Sequence, residues 1–204
     1  RFADRFAPVG FKSSAFLPCY GLAEATLMVT HFGPGVEPRV LPTSAEALGR
    51  GEWKAPTEKE AKKTLEIVSC GKAPEGSCVK IVSEGGAELA EGFVGEIWVT
   101  GPHVASGYWG KEDLTRTTFG AQLANGNDLR RYLRTGDLGF LKEGELFVTG
   151  RKKDLIIVAG LNHYPQDIED SVRKAVPQIA LTTIVAVPRQ KDSESEGLVI
   201  LIED

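Results

Sequence analysis

Four short phrases of this chain combine aromatic, carboxylate and guanidinium side chains with glycine. The first, Tyr20-Gly21-Leu22-Ala23-Glu24, sets a phenol ring beside a glycine and a carboxylate four positions later. Such a ring can stack on a purine. Such a carboxylate can hold Mg²⁺, a hard ion that takes oxygen ligands and bridges phosphates. The second phrase runs Gly95-Glu96-Ile97-Trp98-Val99-Thr100-Gly101, with Gly107-Tyr108-Trp109 after it. The third, Arg134-Thr135-Gly136-Asp137, ends in a carboxylate whose two oxygens can accept from both hydroxyls of a ribose. The fourth, Gly150-Arg151-Lys152-Lys153-Asp154, offers a guanidinium with five donors and permanent charge, suited to ribose oxygens or phosphate.

Taken singly, each phrase has a plainer reading. Thr135-Gly136-Asp137 reads equally as a turn whose Asp caps its neighbours. Arg151 alone reads as a solvated arginine, and Lys153 with Asp154 as a solvated charge cluster. Tyr20 and Glu24 read as a core ring and a surface carboxylate. His31, His103 and His163 are scattered, with neither a Ser–His–Asp arrangement nor metal-ligand spacing around them. His103 and His163 are read as structural.

The 204 residues are 42% hydrophobic and 25% charged, which points away from disorder and from a membrane protein. The apolar runs Leu155–Ala159 and Leu198–Ile202 are strand-sized, so no transmembrane segment is expected. Net charge is −4 without a basic stripe, and nucleic acid is not expected as a partner. The three cysteines, Cys19, Cys70 and Cys78, lack paired spacing and read as reduced side chains of a cytoplasmic protein.

These phrases need elements to hold them. Val79, Ile81, Ile97 and Val99 alternate as strands do. Lys142 to Glu145 reads as the turn of a hairpin between Phe140-Leu141 and Leu146-Phe147-Val148. Glu24 to Thr30 fits either a short helix or a strand. Residues 33–66, broken by Pro34, Pro38, Pro42 and Pro56, read as an irregular surface insertion with one short helix. Leu155 to Val158 reads as a strand. A helix opens at Pro165, presents Ile168, Val172, Ala175 and Val176 on one face, and stops at Pro177. Strands are expected at Ile184–Val187 and Leu198–Ile202, joined by the acidic loop Lys191–Glu196. Mostly β before Gly150 and β-α-β after it predicts two bodies meeting near residue 151.

In conjunction and in order, the four phrases with Gly107-Tyr108-Trp109 resemble the motifs of the acyl/aryl-CoA ligase, peptide-synthetase adenylation and luciferase superfamily of adenylate-forming enzymes. The resemblance implies an α+β fold. Residues 1–150 would be the β-rich end of the large AMP-binding domain, and residues 151–204 the hinge and beginning of the small C-terminal domain. It implies that Tyr20, beside Gly21, stacks on adenine and that Glu24 binds Mg²⁺ in catalysis. Asp137 and Arg151 would hold the ribose of ATP or AMP, and Lys153 would be the hinge between two catalytic faces. Gly101 and Gly107 would be structural.

Asn162-His163-Tyr164-Pro165-Gln166-Asp167-Ile168-Glu169 narrows the resemblance to the fatty acyl-AMP ligases. Ala23, Ile157 and the long stretch from Glu24 to Cys70 point the same way. Such ligases activate a fatty acid with ATP and pass it to the phosphopantetheine thiol of an acyl carrier protein. An insertion in them restrains the small domain and disfavours CoA. Gly160 and Asn162 would lie on the acceptor side, with Leu161 departing from the Arg frequent there. Neither the superfamily's phosphate loop nor its C-terminal catalytic lysine has a counterpart here, so the chain is read as a fragment that is inactive alone. The rival expectations are an acyl-CoA synthetase or peptide-synthetase adenylation fragment, and a non-catalytic adenylate-binding or acyl-sensing module.

Overall fold

The computed structural model describes residues 2–124, 128–158, 160–179, 182–189 and 197–203. In chain order the elements are α1 (Phe2–Phe6), β1 (Cys19–Tyr20), β2 (Thr30–His31), β3 (Val40–Ser44), α2 (Ala45–Gly49), β4 (Thr64–Val68), β5 (Cys78–Val82) and β6 (Gly95–Thr100). Then come α3 (Glu112–Phe119), β7 (Leu133–Lys142), β8 (Glu145–Arg151), β9 (Ile156–Val158), β10 (Leu161–His163), α4 (Pro165–Ala175), β11 (Ile184–Arg189) and β12 (Gly197–Ile202). The mixture is α+β.

The centre is an antiparallel four-stranded sheet ordered β5-β6-β7-β8. Alternation of side chains divides its faces. Val79, Ile81, Ile97, Val99, Leu133 and Leu146 form one core with Tyr20, Ala25 and Val29. Leu138, Phe140 and Phe147 form another with Leu41, Leu48 and Tyr164. The rings of Phe140 and Phe147 stack at 5.1 Å.

The β7–β8 hairpin forms where Lys142 to Glu145 predicted it. Its two turn residues, Glu143 (φ 55°) and Gly144 (φ 77°), both have positive φ, the twist that tight hairpins require. Glu91 accepts from both of their N–H groups at 2.9 Å, and Arg39 pairs with Glu143 at 2.6 Å. From this turn the pairing runs regularly to Gly139 opposite Val148, then shifts by one residue between Leu138 and Gly139. The shift sets Asp137 opposite Arg151 and Leu138 opposite Gly150. A one-residue slip exchanges the faces of a strand, so the turn and this bulge together decide which residue faces Asp137.

The stretch 33–66 differs from the irregular insertion expected. β3 and β4 pair antiparallel with Val40 opposite Val68, and α2 follows β3 directly. Leu41, Thr43, Ser44, Ala47 and Leu48 are buried. Pro42 reads as a breaker, yet β3 pairs with β4 alone, and an edge strand can dispense with one donor. A second turn, the 3₁₀ segment Glu58–Lys63, opens with Thr57 and Glu60 capping one another.

Beyond Arg151, β9 pairs with β10, α4 opens with Pro165 in its first turn, and β11 pairs with β12. Ile168 and Val172 are half-buried, whereas Ala175 and Val176, expected on the same face, are exposed. The expected acidic loop Lys191–Glu196 and the end of the Leu155–Ala159 run lie outside the described residues. Among the described residues no helix is long and apolar enough to cross a membrane.

Gly144→Val should lower the free energy of unfolding by about 1–3 kcal/mol, the usual cost of a residue held in a sparse backbone region. Gly85→Val, where the nearest atom to an added Cβ is 3.9 Å away and φ is not positive, should stay within about 0.5 kcal/mol. Denaturant midpoints of the two variants check this.

Candidate functional site

Asp137 joins three elements. Its Oδ2 accepts from the Tyr20 hydroxyl at 2.7 Å, and its Oδ1 lies 3.3 Å from Arg151 Nε. The Asp137 side chain is 15% exposed and that of Arg151 61%, so the carboxylate is set back while the guanidinium reaches solvent. The Tyr20 ring sits in the core at 8% exposure. Burial first, then the hydrogen bond to Asp137, holds its phenol well above the usual value. Tyr20 therefore stays protonated and donates its hydroxyl hydrogen to Asp137.

The stretch of β7 before Asp137 bulges in its pairing with β6 and is tied to it by side chains. Gly136 has φ 73°, a left-handed conformation that glycine adopts freely. Its N–H donates to Glu96 Oε1 at 3.3 Å, and Arg134 Nη2 donates to Glu96 Oε2 at 2.8 Å. Thr135 Oγ1 donates to the Ile97 carbonyl at 2.7 Å and accepts from Asp137 N–H at 3.1 Å. Burial alone would raise the Glu96 carboxyl. The Arg134 guanidinium, together with weaker contributions that include the Lys152 charge, outweighs it and holds Glu96 below the usual carboxylate range.

Glu24 sits in the loop between β1 and β2. The segment left open between helix and strand resolves into a 3₁₀ turn, Ala23–Ala25, followed by Thr26 (φ 50°) and Leu27 (φ 82°). Two adjacent non-glycine residues with positive φ are uncommon and costly. Gly21 is required here, since an added Cβ would stand 1.4 Å from the Leu27 carbonyl oxygen. Glu24 Oε1 accepts from the Tyr108 hydroxyl at 2.7 Å. That bond, followed by burial, pushes the Tyr108 phenol up to about 12. Among the described residues no group of three or more His, Cys, Asp or Glu side chains could hold a metal. A cation at Glu24 would take the rest of its shell from phosphate and water, which is how Mg²⁺ is commonly bound, and the single carboxylate fits that manner of binding.

The structure thus brings Tyr20, Asp137 and Arg151 into direct contact. It leaves Glu24, four residues after Tyr20 in the loop that follows β1, in contact with Tyr108 instead. Lys153 is exposed in the 3₁₀ turn Lys152–Asp154, two residues beyond Arg151. Gly160 (φ 75°) turns the chain between β9 and β10, and Asn162 pairs with Ile157 in that hairpin. A cleft of about 1090 Å³ between β4, β8 and α4 includes Gly150, but Asp137 and Arg151 are not among its lining residues. Tyr108 and Glu96 stand inside motifs that the sequence displays, yet their partners lie 84 and 38 residues away. Nothing in their spacing announces those contacts.

With this geometry in view, relatives become informative. The chain matches the AMP-binding enzyme family over residues 1–109, and it belongs to that family. It is 44% identical over 202 residues to the medium-chain fatty acid–acyl carrier protein ligase JamA of Moorena producens, covering 98% of this chain and 34% of that protein. It is 43% identical over 207 residues to the long-chain fatty acid–AMP ligase FadD26 of Mycobacterium marinum, covering 100% of this chain and 34% of that one. A solved fatty acyl-adenylate ligase of L. pneumophila, in complex with acyl adenylate and pyrophosphate, superposes with a TM-score of 0.70 at 39% identity. That superposition covers 98% of this chain and 34% of that one. The chain spans about a third of the length of the relatives it matches.

A carboxylate with a lowered folded-state pKa adds stability above its ordinary value, 4.5 for Glu96, and loses it as pH falls through the lowered value. Glu96→Gln should therefore cost about 1–2 kcal/mol at pH 7, the half-exposed Arg134 end being screened by solvent. The gap from the native chain should close as pH drops below 4.5. Thermal melts from pH 7 to pH 3 measure both.

Proposed function

We propose that this chain is part of a fatty acyl-AMP ligase. In this reading the whole enzyme joins a fatty acid to AMP at the expense of ATP and passes the acyl group to the phosphopantetheine thiol of a carrier protein. The observation that carries the proposal is the Asp137 clasp. An AMP-binding chain holds a recessed carboxylate, fixed by Tyr20, beside a guanidinium that reaches solvent. A ribose presents two vicinal hydroxyls, which can donate to Asp137 and accept from Arg151. Tyr20 lies against adenine and, through its hydroxyl, keeps Asp137 in one orientation.

The carboxylate oxygen of the fatty acid attacks the α-phosphate and pyrophosphate leaves; the thiol later loses its proton and attacks the acyl carbon, and AMP leaves as the acyl–phosphate C–O bond breaks. The first step needs positioning and charge neutralisation more than covalent help from the protein. Glu24 is the residue for Mg²⁺, which when bound neutralises phosphate charge. Lys153 is the hinge about which residues 151–204 turn between steps, and Gly160 and Asn162 flank the incoming thiol. Residues 33–66 restrain that turn in this reading. Support comes from contact: Leu41 and Leu48 pack with Tyr164, and an added Cβ on Gly49 would stand 3.2 Å from the Asn162 carbonyl oxygen. The names of JamA and FadD26 support the fatty acid and, for JamA, the carrier protein. The cytoplasm is the compartment that goes with ATP-dependent chemistry of this kind.

In the full-length protein, ATP and a fatty acid should release pyrophosphate, and a holo-carrier protein should accept the acyl group in preference to CoA. The 204-residue polypeptide alone should release none. Asp137→Asn should raise the KM for ATP about tenfold to a hundredfold, equivalent to ~1.5–3 kcal/mol for hydrogen bonds to a charged group. An unchanged KM, or efficient thioester formation on CoA alone, speaks against the reading.

A further inference from the structure

We infer that Tyr108 is a positioning residue for the metal-facing carboxylate, fixing Glu24 by one oxygen so that only the other meets a cation. This rests on the proposed assignment of Glu24 to Mg²⁺. Three contacts clamp the Glu24 loop to the segment 103–108. Thr26 Oγ1 donates to the His103 carbonyl at 2.7 Å, Ala105 N–H donates to the Glu24 carbonyl at 2.8 Å, and the Tyr108 hydroxyl donates to Glu24 Oε1 at 2.7 Å. The first joins the Thr26 side chain to backbone, and the second joins backbone to backbone. Only the third acts on the carboxylate itself.

Tyr108 is in turn held by α3. The Thr115 hydroxyl accepts from Tyr108 N–H at 2.9 Å and donates to the Tyr108 carbonyl at 3.3 Å. Gly107 allows this approach, because an added Cβ would stand 2.2 Å from Thr115 Cγ2. Phe119 meets the Tyr108 ring edge-on at 5.1 Å and 74°. The neighbouring Trp109 is fully exposed and takes no part. A side chain gripped through its backbone and its ring presents its hydroxyl at a fixed point. The backbone of Glu24 is fixed by Ala105. With both ends set, the Glu24 carboxylate has one orientation, and a cation is met through the oxygen that Tyr108 leaves uncovered. A neutral donor does this without competing for the cation, as Lys or Arg in the same place would by charge.

The test uses the full-length protein with Tyr108→Phe, Glu24→Gln and the double variant. Mn²⁺ binding is followed by electron paramagnetic resonance with a non-hydrolysable ATP analogue present, and pyrophosphate exchange is followed against free Mg²⁺. Loss of an outer-shell partner commonly costs about 10–100-fold in metal affinity. Tyr108→Phe should therefore weaken Mn²⁺ binding and raise the half-saturating Mg²⁺ about tenfold, with metal-free binding of the analogue unchanged. Glu24→Gln should weaken Mn²⁺ binding further, and the double variant should match Glu24→Gln alone. If Tyr108→Phe lowers exchange or the melting temperature while both metal dependences stay put, Tyr108 is merely structural and the inference falls. If Glu24→Gln binds Mn²⁺ as the native protein does, the metal assignment itself fails, and this inference with it.

Discussion

The bond on which this arrangement depends is the one between the Tyr20 hydroxyl and the Asp137 carboxylate. A carboxylate with so little solvent around it needs donors, because an unmatched buried charge is expensive. Tyr20 and Arg151 supply them on separate oxygens, one from β1, 117 residues earlier, and one from the facing strand. The three side chains therefore tie β1, β7 and β8 together at a single point. The donors differ in kind. The phenol is buried and stays protonated, so it is a fixed brace; the guanidinium is largely exposed to solvent.

Register is the second constraint. Asp137 faces Arg151 only because the β7–β8 pairing starts at the Glu143–Gly144 turn and slips once beyond Val148. Glu91 and Arg39, neither near the clasp in sequence, set that starting point through the turn. Side-chain chemistry at one end of the hairpin is thus governed by backbone geometry at the other. Glu96 does the corresponding work on β6, using one carboxylate to hold both Arg134 and the Gly136 backbone at the β6–β7 bulge.

How much of this is legible in the sequence depends on the range of the interactions. The hairpin, the β5 and β6 strands and α4 are legible because their signals are local: alternation, a Glu-Gly turn, a proline in the first helical turn. The clasp is legible only as a set of motifs in order, since no local rule joins Tyr20 to Asp137. The stretch 33–66 misleads because its prolines are near in sequence while the partner of Leu41, Ile67 on β4, is 26 positions on. The helix α3 offers just Leu114 and Phe119 as large apolar residues, too few to mark a face. The left-handed pair Thr26 and Leu27 leaves no trace in the sequence at all. Neither residue favours that conformation, and it persists because neighbouring segments impose it.

Tyr164 lies on the bare backbone of Gly150, where any Cβ would come within 2.9 Å of the ring. The ring is 3% exposed, and its hydroxyl has no hydrogen-bond partner among the described residues. It is seated by shape, without a polar latch. Dispersion contacts with the glycine backbone and the surrounding core hold it there. Glycine at 150 thus lets two stretches of chain meet at van der Waals distance, the hairpin on one side and the aromatic ring that follows β10 on the other, with no side chain between them.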